Sequence, residues 1–222
     1  MQIVFALVAL VVGFVLLVKG ADWFVEGSAG IATKFGIPQI VIGLTIVAMG
    51  TSMPEAAVSI SAALRGSAEI TIGNVVGSNI MNILVILGLT AVVCQIAVQK
   101  TTIQYESPMV IGVTILVAVM GLQNNIISRA EGVILLACMV VYMLYLLRLA
   151  KRGVVENEEM DAYAKQVSFG RLILLVVVGV AAIIFGSHVA VEAASAIARI
   201  FGIRERFIGL TIVAFGTSLP EL

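Results

Sequence analysis

The chain has 222 residues, a formal net charge of zero, and a composition that is 61% hydrophobic and only 12% charged. Soluble domains carry roughly 25% charged residues, so this composition excludes an ordinary water-soluble fold. A net charge of zero also removes the electrostatic basis for binding nucleic acid. With a mean hydropathy of +1.15, the sequence predicts an all-α polytopic membrane protein.

Seven apolar runs follow one another, and each is long enough to cross about 30 Å of hydrocarbon as a helix. They lie at roughly 2–20, 37–64, 70–94, 107–123, 130–149, 170–190 and 206–222. The first run lacks a basic start and a small-residue cleavage site, so we interpret it as a membrane span and not as a secretory signal. The expected location is the cell membrane. An outside N-terminus puts eight of the 13 Lys and Arg residues inside, which favours that orientation.

One stretch is rich in charge: KRGVVENEEMDAYAKQ, residues 151–166. Its acids lack the spacing and the glycine turn of an EF-hand loop, so we interpret it as a solvated connector and not as a cation-binding loop. We therefore divide the chain into a first five-helix repeat at 1–149, a charged cytoplasmic connector at 150–169, and the start of a second repeat at 170–222.

The second half of the chain repeats the first. An offset of 166 residues, the separation of Gly20 from Gly186, aligns IGLTIVAMGTSMPE at 42–55 with IGLTIVAFGTSLPE at 208–221. The first motif lies in the second span and the second motif in the seventh, so the two motif helices cross the membrane in opposite directions. Inverted repeats of this kind place ion sites near the membrane midplane, at discontinuous helices.

The motif GTSMPE predicts a break in its helix. Pro54 has no N–H and its ring crowds the carbonyl of Gly50, while Gly50 itself weakens the helix. We expect a break at 50–54 that leaves backbone carbonyls and the hydroxyls of Thr51 and Ser52 without helical partners. Such backbone is tolerated at membrane depth only where it is buried in protein or lines an aqueous cavity.

Each motif ends in a glutamate with no basic neighbour. Glu55 is the only formal charge between Lys34 and Arg65, and Glu221 has the same place in the second copy. A charge at the centre of a span costs on the order of 2.5–3.5 kcal/mol, so helix packing does not account for these carboxylates. Two carboxylates with nearby hydroxyls and carbonyls suit Ca²⁺, which takes about 6–8 oxygen ligands, or several Na⁺ in its place.

A polar stripe follows the first motif, within ITIGNVVGSNIMNILVILGL at 70–89. Asn74, Ser78 and Asn82 are spaced at i, i+4 and i+8, so a helix places them on one face. Their oxygens are neutral ligands for Na⁺ or Ca²⁺, whereas Asn79 points elsewhere and is interpreted as a packing or capping residue. The glycines of GNVVG allow either a close approach by another helix or a second break.

Together, GTSMPE, GNVVGSNIMN and the inverted GTSLPE resemble the cation/calcium exchanger superfamily, specifically its prokaryotic sodium/calcium exchanger branch. The resemblance covers essentially the whole chain. It implies a transporter of two inverted five-helix halves that exchanges extracellular Na⁺ for cytosolic Ca²⁺ by alternating access, with no enzymatic activity and no cofactor. The two ions and the lipid bilayer are the implied partners, and the oligomeric state stays open.

The resemblance also implies a ligand set. The Ca²⁺ ligands would be Glu55 and Glu221 with the carbonyls of Thr51 and Thr217. The Na⁺ sites would add the carbonyls of Ala48 and Ala214 and the side chains of Ser52, Ser218, Ser78 and Asn82.

The chain departs from the family pattern after its second motif. The family has a second GN-rich helix there, and the repeat offset places the partners of Asn74, Ser78 and Asn82 near 240–248, beyond Leu222. We therefore expect these 222 residues to be part of a longer transporter and not to transport alone. The sequence of that helix would indicate whether transport depends on K⁺, so this question stays open.

Three other functions fit part of the pattern. The two glutamates could carry protons, as in a Ca²⁺/H⁺ exchanger. We interpret His188 first as an interfacial polar residue, but a role in proton coupling would suit such an exchanger. The hydroxyls beside each glutamate favour Na⁺ instead. A cation channel on the same helices would conduct without a counter-ion. An intramembrane hydrolase is disfavoured, because one histidine cannot act as the base for both Ser52 and Ser218, and the motif lacks the nucleophile-elbow spacing.

Overall fold

The computed structural model describes residues 2–37, 39–98, 100–124, 126–150 and 167–221. Every regular element in these ranges is a helix, as the composition predicts. The predicted connector at 151–166 lies outside the described residues. The bounds of the helices are α1 Gln2–Lys34, α2 39–51, α3 Met53–Leu64, α4 Ala68–Val93, α5 102–124, α6 Arg129–Ala150, α7 Phe169–Phe201 and α8 205–217.

Within the described residues, five helices are long and apolar enough to cross a membrane, namely α1, α4, α5, α6 and α7. Gly43–Thr51 of α2 and Met53–Leu64, which is α3, pass the same test of length and apolarity only as a pair, with a bend of 45° between them. The seventh predicted run, 206–222, differs from the others: its helix α8 covers only about 20 Å at 1.5 Å per residue, because it ends at the second motif.

Helices α1 and α7 are longer than the sequence predicts. Each has 33 residues, so each is about 50 Å long and must tilt within a membrane or project from it. The predicted first span stops at residue 20 because charged residues begin there. In the folded helix, Lys19 Nζ lies 3.2 Å from Asp22 Oδ2, one turn further on, so the charges pair with each other and the helix continues.

Small residues allow α1 and α7 to pack closely along their length. A Cβ on Gly13 would lie 2.9 Å from the backbone nitrogen of Ala190, and one on Gly27 would lie 2.7 Å from the carbonyl oxygen of Leu172. Residue numbers therefore fall along α7 as they rise along α1, so the two helices are antiparallel. Close backbone contact of this type is the usual way in which membrane helices associate.

The contacts between α1 and α7 also follow the repeat offset. Gly20 packs against Ile183, and the equivalent pair in the two halves, Leu17 against Gly186, is in contact as well. Helices α1 and α7 thus occupy equivalent places in the two halves and run in opposite directions. This is the relationship that the predicted inverted repeat requires.

Helix α3 packs against α7 through polar contacts. The Ser61 and Ser187 hydroxyl oxygens lie 2.8 Å apart in a buried position. At the end of α3, the guanidinium of Arg65 reaches Glu192 Oε2 at 3.5 Å and His188 Nδ1 at 3.3 Å. His188 therefore has a polar partner in the other half of the chain.

Helix α4 lies between the two motif helices. It packs on α3 on one side and on α8 on the other. A Cβ on Gly73 would lie 2.8 Å from the carbonyl oxygen of Arg206, and one on Gly77 would lie 2.5 Å from that of Leu210. Of the two roles left open for these glycines, close approach is therefore the one observed. The polar residues of α4 are placed where the two motifs meet.

Candidate cation site

Both motifs interrupt their helices at the same residue. Ser52 has φ −85° and ψ 3°, which ends α2 and begins the bent turn into α3. Ser218, its equivalent, has φ −84° and ψ 9° and ends α8. Pro54 lies in the first turn of α3, where its missing N–H costs no helical hydrogen bond. The predicted break at 50–54 is therefore confirmed, and it occurs in both copies.

Both copies also carry a π-helical turn that the sequence patterns did not predict. The identical segments GLTIV form it at Gly43–Val47 and at Gly209–Val213. In each, a threonine hydroxyl, that of Thr45 or Thr211, donates to the carbonyl four residues earlier. Such turns widen the helix and change the direction of the carbonyls that follow. The Ala48 and Ala214 carbonyls lie directly after these turns.

The second motif contacts the first at Glu55. The hydroxyl of Ser218 donates to Glu55 Oε1 at 3.2 Å. Ser218 and the preceding Thr217 are buried, and Glu55 is half-buried. Two segments that are far apart in the sequence are thus joined through a predicted ligand of each.

Four buried oxygen atoms of predicted ligand residues have no hydrogen-bond partner among the described residues. They are Glu55 Oε2, both carboxylate oxygens of Glu221, and Asn82 Oδ1. All of them are acceptors, and all belong to residues that the sequence predicts as cation ligands. A buried acceptor without a donor costs about 1–3 kcal/mol, and more when it is charged. A cation placed among them would remove that cost.

A cation here would have to draw on neutral oxygens as well. The described part of the chain holds no group of three or more His, Cys, Asp or Glu side chains that could hold a metal ion. Carbonyls and hydroxyls must therefore complete the coordination, which suits the hard cations Ca²⁺ and Na⁺ and not a transition metal.

The polar stripe of α4 lies against the second motif. Ser78 Oγ is 3.4 Å from Thr217 Oγ1, and Asn74 Oδ1 accepts a hydrogen bond from the same threonine hydroxyl at 3.0 Å. Asn79 lies off this face, as predicted: it is exposed, and its amide donates to the Val75 carbonyl at 2.8 Å on its own helix. The structure brings Asn74 and Ser78 to the motif and leaves Asn79 outside.

The two copies differ in burial although their sequences match. Ala214 and Thr217 are fully buried, whereas Ala48 is exposed and Thr51 is half-buried. Ser52 is also exposed, unlike Ser218. Helix α4 covers α8 in the second copy. The Thr51 hydroxyl donates within its own turn to the Ala48 carbonyl at 3.3 Å, so the expectation that the break leaves this hydroxyl without a helical partner is wrong.

A cavity of about 230 Å³ reaches both motifs, and its lining includes Thr51 of the first and Pro220 of the second. Two acidic residues of α1, Asp22 and Glu26, also line it. Their equivalents in α7 are His188 and Glu192, which Arg65 contacts. The cavity thus has an acidic wall on one side of the motifs, and a basic residue lies against the equivalent wall on the other.

Comparison with known proteins identifies the family. The family model described as sodium/calcium exchanger protein matches residues 5–148 and 171–222, which is most of the chain. The chain belongs to the sodium/calcium exchanger family. This confirms the resemblance drawn from the two motifs, and it places the protein in a family of membrane transporters.

Individual relatives of the exchanger agree with this assignment. The chain is 39% identical over 221 residues to the putative antiporter CaxA of Alkalimonas amylolytica, covering 98% of this chain and 69% of that protein. It is 36% identical over 221 residues to the inner membrane protein YrbG of Escherichia coli, covering 96% of this chain and 67% of that protein. The exchanger is therefore a multi-pass membrane protein, as its helices predict.

A solved structure has the same fold. The sodium/calcium exchanger from Methanococcus jannaschii superposes with a TM-score of 0.56 and 31% identity, covering 99% of this chain and 70% of that chain. The all-α exchanger fold is thus confirmed over the described helices.

Proposed function

We propose that the protein is a secondary active antiporter that exchanges Na⁺ for Ca²⁺ by alternating access, at a midplane site formed by the two GTSxPE motifs. One observation carries the proposal: Glu55 of the first motif bonds to Ser218 of the second, while Glu55 Oε2 and both oxygens of Glu221 are buried without a partner among the described residues. Burying two carboxylates in this way is costly unless a cation binds them.

Charge and ligand number favour Ca²⁺ in this site. Two carboxylates carry a charge of minus two, which one Ca²⁺ neutralises. The carbonyls of Thr51 and Thr217 would complete an oxygen shell of about 6–8 ligands. Both carbonyls lie at the helix breaks, where the regular bonding pattern ends.

Sodium ions would use the same carboxylates with weaker neutral ligands. These are the carbonyls of Ala48 and Ala214 and the side chains of Ser52, Ser218, Ser78 and Asn82. Because the two cations share the carboxylates, they compete, and one must leave before the other binds. Competition for shared ligands is what makes transport an exchange.

The acidic cavity gives the ions a route from one side. Asp22 and Glu26 lie past the middle of α1, toward Lys34, which is the cytosolic side in the predicted orientation. Carboxylates that line a cavity attract cations, and the Lys19 ammonium, 3.2 Å from Asp22 Oδ2, reduces this attraction at Asp22. Calcium from the cytosol would therefore be collected beside Thr51.

Replacing Asp22 by Asn together with Glu26 by Gln is expected to raise the KM for Ca²⁺ about two- to fivefold on the cavity side. The effect should shrink as ionic strength rises, because screening weakens steering by exposed charges. The measurement is ⁴⁵Ca²⁺ uptake at several salt concentrations in vesicles of both orientations. Glu192→Gln, the equivalent of the Glu26 change, is the control and should leave the KM on the cavity side unchanged. An effect independent of salt would contradict this role.

The proposed function is tested by counter-ion dependence. In vesicles that contain the complete protein, an outward Na⁺ gradient is expected to drive ⁴⁵Ca²⁺ uptake, and loading with choline is expected to prevent it. Uptake without any counter-ion would indicate a channel. Uptake driven by a pH gradient in the absence of Na⁺ would indicate a Ca²⁺/H⁺ exchanger, and a requirement for K⁺ on the Ca²⁺ side would indicate cotransport of K⁺.

A further inference from the structure

Asn74 joins the two motifs through a single buried amide. Its Nδ2 donates to the backbone carbonyl of Glu55 at 3.2 Å and to Ser59 Oγ at 3.1 Å. Its Oδ1 accepts from the hydroxyl of Thr217 at 3.0 Å. The side chain is fully buried, so water does not compete for these bonds. One residue of α4 thus ties the first turn of α3 to the last turn of α8.

The orientation of the amide follows from its partners. The carbonyl oxygen of Glu55 can only accept, so the NH₂ group of Asn74 must face it, and Oδ1 must then face Thr217. The Thr217 hydroxyl lies 3.0 Å from Asn74 Oδ1 and 3.3 Å from the Ala214 carbonyl oxygen, so Asn74 is the nearer of its two acceptors. Asn74 therefore differs from Asn82, whose Oδ1 has no partner among the described residues. Asn74 Oδ1 already accepts the Thr217 bond, whereas both lone pairs of Asn82 Oδ1 can face a cation.

We propose that Asn74 is a positioning residue that sets the spacing between the two motifs, so that ligands from both can reach one divalent ion. This inference rests on the proposed exchange of Na⁺ for Ca²⁺. A Ca²⁺ ion requires its oxygens at about 2.3–2.6 Å and needs several of them at once, so a small shift between the motifs removes ligands. A Na⁺ ion needs only one carboxylate to balance its charge, so it is less sensitive to that spacing.

The helices have other contacts that hold them together when the amide is lost. The Thr71 hydroxyl donates to the Ser59 carbonyl at 2.9 Å, which keeps α4 against α3. Gly73 and Gly77 pack directly on the backbone of α8. Removing the Asn74 amide should therefore change the spacing of the motifs without separating the helices, and the effect should appear in ion selectivity.

The test is Asn74→Leu in the complete purified protein, with Asn79→Leu as the matched control on the same helix. Titration calorimetry gives the Kd values for Ca²⁺ and Na⁺, and thermal unfolding without ions gives the Tm. We expect the Kd for Ca²⁺ to rise at least tenfold in Asn74→Leu, the Kd for Na⁺ to rise less than threefold, and the Tm to fall by only a few degrees. Asn79→Leu should leave both Kd values unchanged.

Thr217→Val provides a second variant, because it removes the hydroxyl bonded to Asn74 and keeps the Thr217 carbonyl. It should give the same selective loss of Ca²⁺ affinity, and the loss in the double variant should be smaller than the sum of the two single losses, since both changes remove the bond between Asn74 and Thr217. Three results would each overturn the inference. They are equal losses of affinity for Ca²⁺ and Na⁺, a loss in the double variant equal to the sum of the single losses, and Kd values of Asn74→Leu that match those of Asn79→Leu. If the Asn74→Leu protein does not accumulate in the membrane, the Kd values of Thr217→Val for Ca²⁺ and Na⁺ test the inference by themselves. Absence of Ca²⁺ and Na⁺ binding in the unmodified protein would instead refute the proposed function.

Discussion

Glu55→Gln and Glu221→Gln are each expected to abolish Na⁺-driven ⁴⁵Ca²⁺ uptake, with a loss of at least about 100-fold. Each substitution leaves one carboxylate where a divalent ion needs two, and it replaces an anionic ligand with a neutral amide. Removing a carboxylate that is paired with a buried cation costs about 3–5 kcal/mol, which corresponds to a factor of 10² or more in cation binding. The measurement is uptake in vesicles that contain equal amounts of each variant.

Glu131→Gln is the matched control for the two glutamate substitutions. Glu131 Oε2 accepts the N–H of Ser128 at 2.6 Å at the start of α6, in an exposed position. Glutamine makes the same capping interaction, so the change should preserve both the helix and transport. Normal exchange in either Glu55→Gln or Glu221→Gln would contradict the site assignment.

Gly77→Ala is expected to reduce transport by at least tenfold. The added Cβ would lie 2.5 Å from the carbonyl oxygen of Leu210 and 2.7 Å from the Ala214 Cβ, so α8 has to move away from α4. The contacts of Asn74 and Ser78 with Thr217 then lengthen, and the second motif loses its position. The readout is ⁴⁵Ca²⁺ uptake together with the Kd for Ca²⁺ of the purified protein.

Gly88→Ala is the control on the same helix. A Cβ at this position meets no atom within 4 Å, and alanine is the better helix former by about 1 kcal/mol. Gly88→Ala should therefore retain full transport and raise the Tm slightly. Equal activity of the two alanine variants would show that the close approach at Gly77 is not required.

The sequence predicted the motif chemistry because that chemistry depends on single residues. Pro54 beside Gly50 requires an interrupted helix, and the break is observed at Ser52 and repeated at Ser218. The face shared by Asn74 and Ser78 follows from a spacing of four, and both contact Thr217. These features are local, so no knowledge of the fold is needed to derive them.

Features that depend on tertiary packing were beyond the sequence patterns. Helix α1 continues past the Lys19–Asp22 pair to Lys34, and Gly27 packs there on the backbone of α7, a contact that a count of apolar residues does not register. The π-helical turns at Gly43–Val47 and Gly209–Val213 have no compositional signature, although their identical sequences are a signal in retrospect. The role of Asn74 emerged only when the bonds of each amide atom were known.

The exposure of each motif also required the structure. Sequence identity suggests two equivalent half-sites, yet Thr217 is fully buried under α4 while Thr51 lines a cavity. Equivalent sequences can have different access to solvent because access depends on the neighbouring helix and not on the motif itself.

Anomalous diffraction from crystals of the complete protein soaked with Sr²⁺, a heavier analogue of Ca²⁺, tests the central claim most directly. The account predicts one strong peak between the motifs, with carboxylate oxygens of both Glu55 and Glu221 within about 2.7 Å, slightly longer than the distances for Ca²⁺. A peak elsewhere, or glutamates that are far apart and each paired with a basic side chain, would contradict it.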